Sequence, residues 1–157
     1  MSEPLISVML ITYNHEKYLH QCLDSVLSQQ TDFDYEVVVG EDHSTDSTRQ
    51  ILDEYKRRYP DRIRLLYRER NYGRPTLNVY ETAMACRGRY IATIEGDDFW
   101  TDERKLQKAA DFLEDHPEYS ALLVTEEEAD STRRLIAVNM DEDTLSILTE
   151  DLPLEIF

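Results

Sequence analysis

Short apolar runs alternate with stretches of helical periodicity along most of this chain, and that rhythm limits its fold more than any other feature. Leu5 to Thr12, Tyr35 to Val39, Ile63 to Tyr67 and Tyr90 to Ile94 are brief, apolar and rich in β-branched residues. Strands buried on both faces have this composition. Between them, apolar side chains recur at the spacing of one helix face. Leu19, Cys22, Leu23, Val26 and Leu27 mark a helix from Glu16 to Gln29. Ile51, Leu52 and Tyr55 mark a second, stopped near Tyr59 by Pro60. Thr76 to Cys86 reads as a third, closed by Gly88. Asp102 to Asp115 reads as a fourth, with Leu106, Ala109, Ala110 and Leu113 facing inward. Tyr119 to Thr125 offers a fifth strand, Leu135 to Val138 a sixth, and Thr144 to Glu150 a short helix. The expected fold is therefore α/β, a Rossmann-like, mainly parallel sheet with helices on both faces. Ligands of such sheets gather at the carboxyl ends of the strands.

Length and charge narrow the possible roles. A domain near this length of 157 residues buries roughly 68–70% of its unfolded surface, enough for a real core. The net charge of −16 argues against nucleic acid as a partner, and no basic patch offsets it. Ten acids and two arginines fall between Glu126 and Phe157, half of the net charge. The expected organisation is a core over 1–125 and an acidic extension over 126–157, in the same domain or loosely packed on it. Cys22 and Cys86 form neither a disulfide framework nor a metal-binding pair, so reduced thiols are expected. No apolar run is long enough to span a membrane. The residues after Met1 lack a basic region and an apolar region, so no signal peptide is expected. The expected location is cytoplasmic, or peripheral at the inner membrane face.

The residues that carry chemistry cluster at predicted strand ends. Ile91 to Ile94 runs straight into Glu95, Asp97 and Asp98. Carboxylates are costly to gather at the end of a buried strand unless a cation meets them. Hard oxygen ligands suit Mg2+ or Mn2+, which in turn hold phosphates. Asp97 and Asp98 are the metal candidates, with Glu95 as an outer ligand or a solvated strand end. The competing reading is a turn in which Asp98 or Asp102 caps the next helix. Asp42 follows the second strand, where it can accept a hydrogen bond from a base N–H or a ribose hydroxyl, or make an Asx turn. Tyr13 follows the first strand and can stack on a base or simply cover the sheet edge. Asn14 and His15 read as turn residues. Arg68, Arg70 and Arg74 cluster before the third helix and can neutralise phosphate or pair with surface acids. Arg74, beside Pro75, is the preferred candidate. With glycine only at positions 40, 73, 88 and 96, neither a dinucleotide fingerprint nor a P-loop is present. This counts against a nucleotidyltransferase or pyrophosphatase.

Several of these residues fall in a joint pattern. It comprises Ile6 to Asn14, Ser25-Val26-Leu27-Ser28-Gln29, Glu41 to Asp46, Asn71, Gly73, Asn78, Glu95 to Asp102, and Lys105-Leu106. Over about residues 5–125 the chain resembles the family 2 glycosyltransferases of the GT-A fold. The resemblance implies a nucleotide-sugar donor site, with Thr12, Tyr13, Asp42, Arg74 and Asp97 toward the nucleotide. It also implies a DxD-like motif, with Glu95 in place of its first acid, and a divalent cation, Mn2+ or Mg2+, on Asp97 and Asp98. The expected partners are a nucleotide diphosphate sugar, a UDP-sugar first, and a saccharide or lipid-linked acceptor. The family's acceptor half supplies a catalytic base from a later segment. This chain stops at Phe157, so the expectation is a donor half with no catalytic residue assigned. A non-catalytic nucleotide-binding or interaction module, possible as a homodimer through an exposed sheet edge, is the alternative.

Overall fold

The computed structural model describes residues 3–117, 121–126 and 133–139. Ten elements follow one another along the chain. They are β1 (Ile6–Thr12), α1 (Leu19–Leu27), β2 (Tyr35–Glu41), α2 (Thr48–Arg58), β3 (Ile63–Tyr67), α3 (Pro75–Ala85), β4 (Tyr90–Glu95), α4 (Lys105–Asp115), β5 (Ala121–Glu126) and β6 (Arg133–Asn139). Six strands form one sheet in the order β3-β2-β1-β4-β6-β5. The first four are parallel, and β6 and β5 join antiparallel. The fifth strand expected at the end of the core and the sixth expected in the acidic extension are both present, and β6 lies directly beside β4. The helix expected over 144–150 lies outside the described residues.

One face of the sheet carries the apolar core. Ile6, Val8 and Leu10 of β1 alternate inward with Val37 and Val39 of β2 and Ala92 and Ile94 of β4. Leu19, Cys22, Leu23 and Val26 of α1, Leu52 and Tyr55 of α2, and Leu106, Ala110 and Leu113 of α4 close over them. Complete burial of a Leu or Val side chain contributes about 1.5–3 kcal/mol, so this layer dominates stability.

The other face sets buried polar groups among Met9, Val38 and Ile91, and α3 lies on it. Its buried residues are Asn78 and Thr82, while Leu77, Tyr80 and Met84 point outward. Asn78 Nδ2 donates to the Gly40 carbonyl, and Asn78 Oδ1 accepts from Arg68 Nε. Arg68 also reaches Thr82 and Glu81, which makes it a clamp between β3 and α3. Gly88 does not serve as the helix cap expected of it. The cap position is Cys86, in extended backbone. A Cβ on Gly88 would lie 2.4 Å from Ser7 N, so the absent side chain lets the loop cross β1 closely. Both cysteines are free thiols, Cys22 buried and Cys86 half-buried. Among the described residues no helix is long and apolar enough to cross a membrane.

Candidate functional site

The chain lays down β1, β2 and β3 outward in one direction, then returns to the far side of β1 with β4. A crevice opens at such a reversal, outside the carboxyl ends of the strands. The register puts the informative loops side by side there. Thr12 pairs with Glu41 across β1 and β2, and Ile11 pairs with Glu95 across β1 and β4. Two strand spacings, about 10 Å, separate the ends of β2 and β4.

Hydrogen bonds staple the loops after β1 and β2 together. Asn14 adopts a left-handed backbone, φ 54°, as does His43, φ 62°. Asn14 N donates to Ser44 Oγ, and Asn14 Oδ1 accepts from Thr45 N. Glu16 N donates to Asp46 Oδ2, and Glu16 Oε2 accepts from Ser47 N, across the same seam. Tyr13 stands out of this seam with 42% of its surface exposed. Thr12 is wholly buried, and its hydroxyl lies 3.3 Å from His15 Nδ1.

Asp42 is nearly buried and caps no helix. Its Oδ1 accepts from Tyr72 N, and its Oδ2 accepts from Asn71 Nδ2. An ionised carboxylate has about four lone-pair directions, so two remain for a ligand donor. Asn71 Nδ2 also bonds the Asp42 carbonyl, which ties the β3–α3 loop to the end of β2. Arg74 follows in that loop as the N-cap residue of α3, and it is exposed. Neighbouring Glu41 is buried, paired with Arg49 and bonded by Ser44 N.

The acidic loop after β4 is held by its backbone. Gly96 N donates to Ile11 O, and Asp98 N donates to Glu95 O. Trp100 N donates to Ser25 Oγ, and Gln29 bridges Asp102 O and Leu106 N. Ser25 and Gln29 thus serve as anchors for this loop. Asp98 does not cap α4, whose N-cap residue is Arg104, while Asp102 Oδ1 accepts from Arg104 N. Asp97 and Asp98 are left with exposed carboxylates. Burial, then the neighbouring Asp97 and Asp98 charges, hold the Glu95 carboxyl above its ordinary value. Among the described residues no Lys or Arg pairs with these three acids. The basic side chain beside them is His15, whose Nε2 lies 3.9 Å from Asp97 Oδ1.

These donors fit a hard divalent cation. Among the described residues no three His, Cys, Asp or Glu side chains form a ready metal cage. Mg2+ does not need one, since it binds through one or two carboxylates, substrate phosphates and water. Loops bearing Thr12, Tyr13, Asp42, Asp97 and Asp98 converge at one end of the sheet, and Arg74 borders it through the Asp42 tether. His15 was legible only as a turn residue. No linear signal marks it, because Gly96 and Asp97 reach it through strand pairing. A cavity of about 590 Å3, lined by Leu5, Gln30, Asp32, Phe33, Asp34 and Arg62, lies at the opposite end of β1 and β2.

A mainly parallel sheet with helices packed on it has the architecture of the GT-A fold. The model of glycosyl transferase family 2 matches residues 7–149, and the chain belongs to that family. An uncharacterized protein of Mycobacterium tuberculosis is 42% identical over 113 residues, 72% of this chain and 32% of its own. A putative teichuronic acid biosynthesis glycosyltransferase of Bacillus subtilis is 35% identical, over 71% of this chain and 42% of its own. S. aureus TarS, solved with UDP, shares 30% identity at a TM-score of 0.70, covering 82% of this chain and 37% of that one. A mannosyltransferase from Pyrobaculum calidifontis, solved with GDP-Man and Mn2+, has a TM-score of 0.78 and 21% identity. It covers 98% of this chain and 48% of that one, a likeness of fold alone. This chain spans about a third to two-fifths of these two curated relatives.

Proposed function

We propose that the chain carries the donor half of a glycosyltransferase and binds a nucleotide diphosphate sugar, with a UDP-sugar as the first choice. One observation carries this reading. Carboxylates with no Lys or Arg partner among the described residues, an exposed aromatic and Asp42 lie on loops at the β1–β4 reversal of a family 2 chain. In this reading Tyr13 stacks on the base and Asp42 accepts a hydrogen bond from a base N–H. Asp97 and Asp98 hold Mn2+ or Mg2+, which neutralises the diphosphate and favours its departure as the leaving group. Arg74 adds a positive charge for a phosphate, and Thr12 acts from beneath, through His15. The acceptor is a saccharide or a lipid-linked hydroxyl. No catalytic base is assigned. The residues compared make up 32% and 42% of these two relatives, so the activity of the whole enzyme is part of this proposal.

Calorimetric titration of UDP, with and without Mn2+, tests the reading on wild type and on Asp98→Asn. The expected result is Mn2+-dependent binding in wild type that falls at least about tenfold in the variant, as loss of one ligand charge predicts. Absence of binding by UDP, GDP and the other nucleoside diphosphates would remove the donor site. The chain would then be an interaction module.

A further inference from the structure

His15 has so far entered only as the neighbour of Thr12 and Asp97, yet the fold builds a slot around it. Its backbone N donates to Thr48 Oγ1 of α2. Its carbonyl accepts from Tyr18 N and Leu19 N at the start of α1. The residue is thus fixed between two helices before its ring is considered. The ring then faces Thr12 Oγ1 at 3.3 Å through Nδ1. It also presses on Gly96, where an added Cβ would lie only 2.7 Å from Nδ1. The free nitrogen, Nε2, faces Asp97 Oδ1 at 3.9 Å. A hydroxyl donating to Nδ1 leaves the neutral ring's proton on Nε2, directed at an acceptor-only carboxylate.

Resting on the donor-site reading, we propose that His15 is the positioning residue of Asp97. Its Nε2–H holds the Asp97 carboxylate in the orientation that meets the cation and the diphosphate. The 3.9 Å separation is longer than a hydrogen bond, so the proposal has Asp97, whose side chain is 46% exposed, turn toward Nε2. Groups that orient a metal-binding carboxylate in this way typically change metal affinity by about 10–100-fold when removed. In this arrangement Thr12 donates to Nδ1, and Gly96 leaves the room. The proposal therefore gives three buried or half-buried residues one shared task.

The test compares wild type, His15→Gln and His15→Leu in the full chain. Gln offers a side-chain N–H near the place of Nε2, whereas Leu fills the slot without a donor. Mn2+ is titrated into protein saturated with UDP, UDP is titrated without metal, and melting is recorded for each protein. The expected result is that His15→Leu weakens Mn2+ binding by at least about tenfold, and weakens any metal-free UDP binding less. His15→Gln should stay within about threefold of wild type in the same titration. Equal Mn2+ affinity in wild type and His15→Leu overturns the proposal and leaves the donor site intact. Equal losses in both variants also overturn it, because the slot and not the donor would then matter. Wild type without Mn2+-dependent UDP binding overturns the donor-site reading itself, and the His15 role with it.

Discussion

At the scale of single residues, Gly96 shows how space, rather than backbone freedom, fixes a residue type. A Cβ there would lie 2.6 Å from Thr12 Oγ1 and 2.7 Å from His15 Nδ1. Neither neighbour can retreat easily, since Thr12 is buried in β1 and His15 is pinned by α1 and α2. Overpacking of a tight site costs about 1–3 kcal/mol. Gly96→Ala should therefore lose about that much stability in urea unfolding. It should also weaken Mn2+-dependent UDP binding, because the ring that faces Asp97 is displaced. Wild-type stability together with wild-type binding would show that the slot yields and that Gly96 carries no constraint. The acids were legible beforehand because three carboxylates ending an apolar strand stand out in any linear reading. His15 was not, because its partners are Gly96 and Asp97, some eighty positions away and joined to it only by the β1–β4 pairing.

At the scale of elements, the sheet's second face explains both what the sequence revealed and what it hid. Strands and helices were found close to their true bounds, since buried runs and helical spacing are local signals. β3 spans Ile63–Tyr67, where it was expected. The starts of α1 and α4 were set too early. Glu16 is drawn into the seam with Asp46 and Ser47, and the Asp102 carbonyl is taken by Gln29. Both contacts are long-range and leave no trace in periodicity. The second face is equally nonlocal. Glu36 of β2 is 3% exposed and accepts from Ser7 Oγ of β1, Arg64 of β3, and the backbone N–H and side chain of Arg87 before β4. Burial alone would raise its carboxyl, but the bonds from Arg87, Ser7 and Arg64 hold it below its ordinary value of 4.5. A depressed carboxylate stabilises the fold fully above that ordinary value and loses its contribution as pH falls through the folded-state value. Glu36→Gln should cost about 1–3 kcal/mol at neutral pH, as loss of hydrogen bonds to a charged group does. The deficit should shrink as pH falls below about 4.5, because wild type then surrenders the same contribution. Chemical unfolding of both proteins between pH 3 and 7 measures this, and a constant deficit would refute it.

At the scale of the whole molecule, two opposing effects meet in the residues after Thr125. From Glu126 onward lie ten acids and two arginines, half of the net charge of −16. Removing them relieves self-repulsion, which on its own would stabilise the compact state. The same cut removes β6, the strand between β4 and β5. β5 pairs with no other described strand, and β4 loses its ladder through Tyr90, Ile91 and Ala92. Those three residues are buried, so their freed backbone groups become costly unless water reaches them. At about 1–3 kcal/mol for each unsatisfied group, the loss amounts to several kcal/mol. Repulsion among exposed charges is screened over about 10 Å at 0.1 M salt and is the smaller quantity. A chain ending at Thr125 should accordingly be less stable than the full chain, and it should self-associate through the opened β4 edge. The comparison belongs at both low and high salt. If charge governed the outcome, the truncated chain would be the more stable one at low salt and the difference would vanish at high salt. If β6 governs it, the deficit persists at both, and sedimentation finds oligomers of the truncated chain alone. A stable, monomeric truncated chain would mean that β6 merely rests against β4, and that the donor site is carried by residues 1–125 unaided.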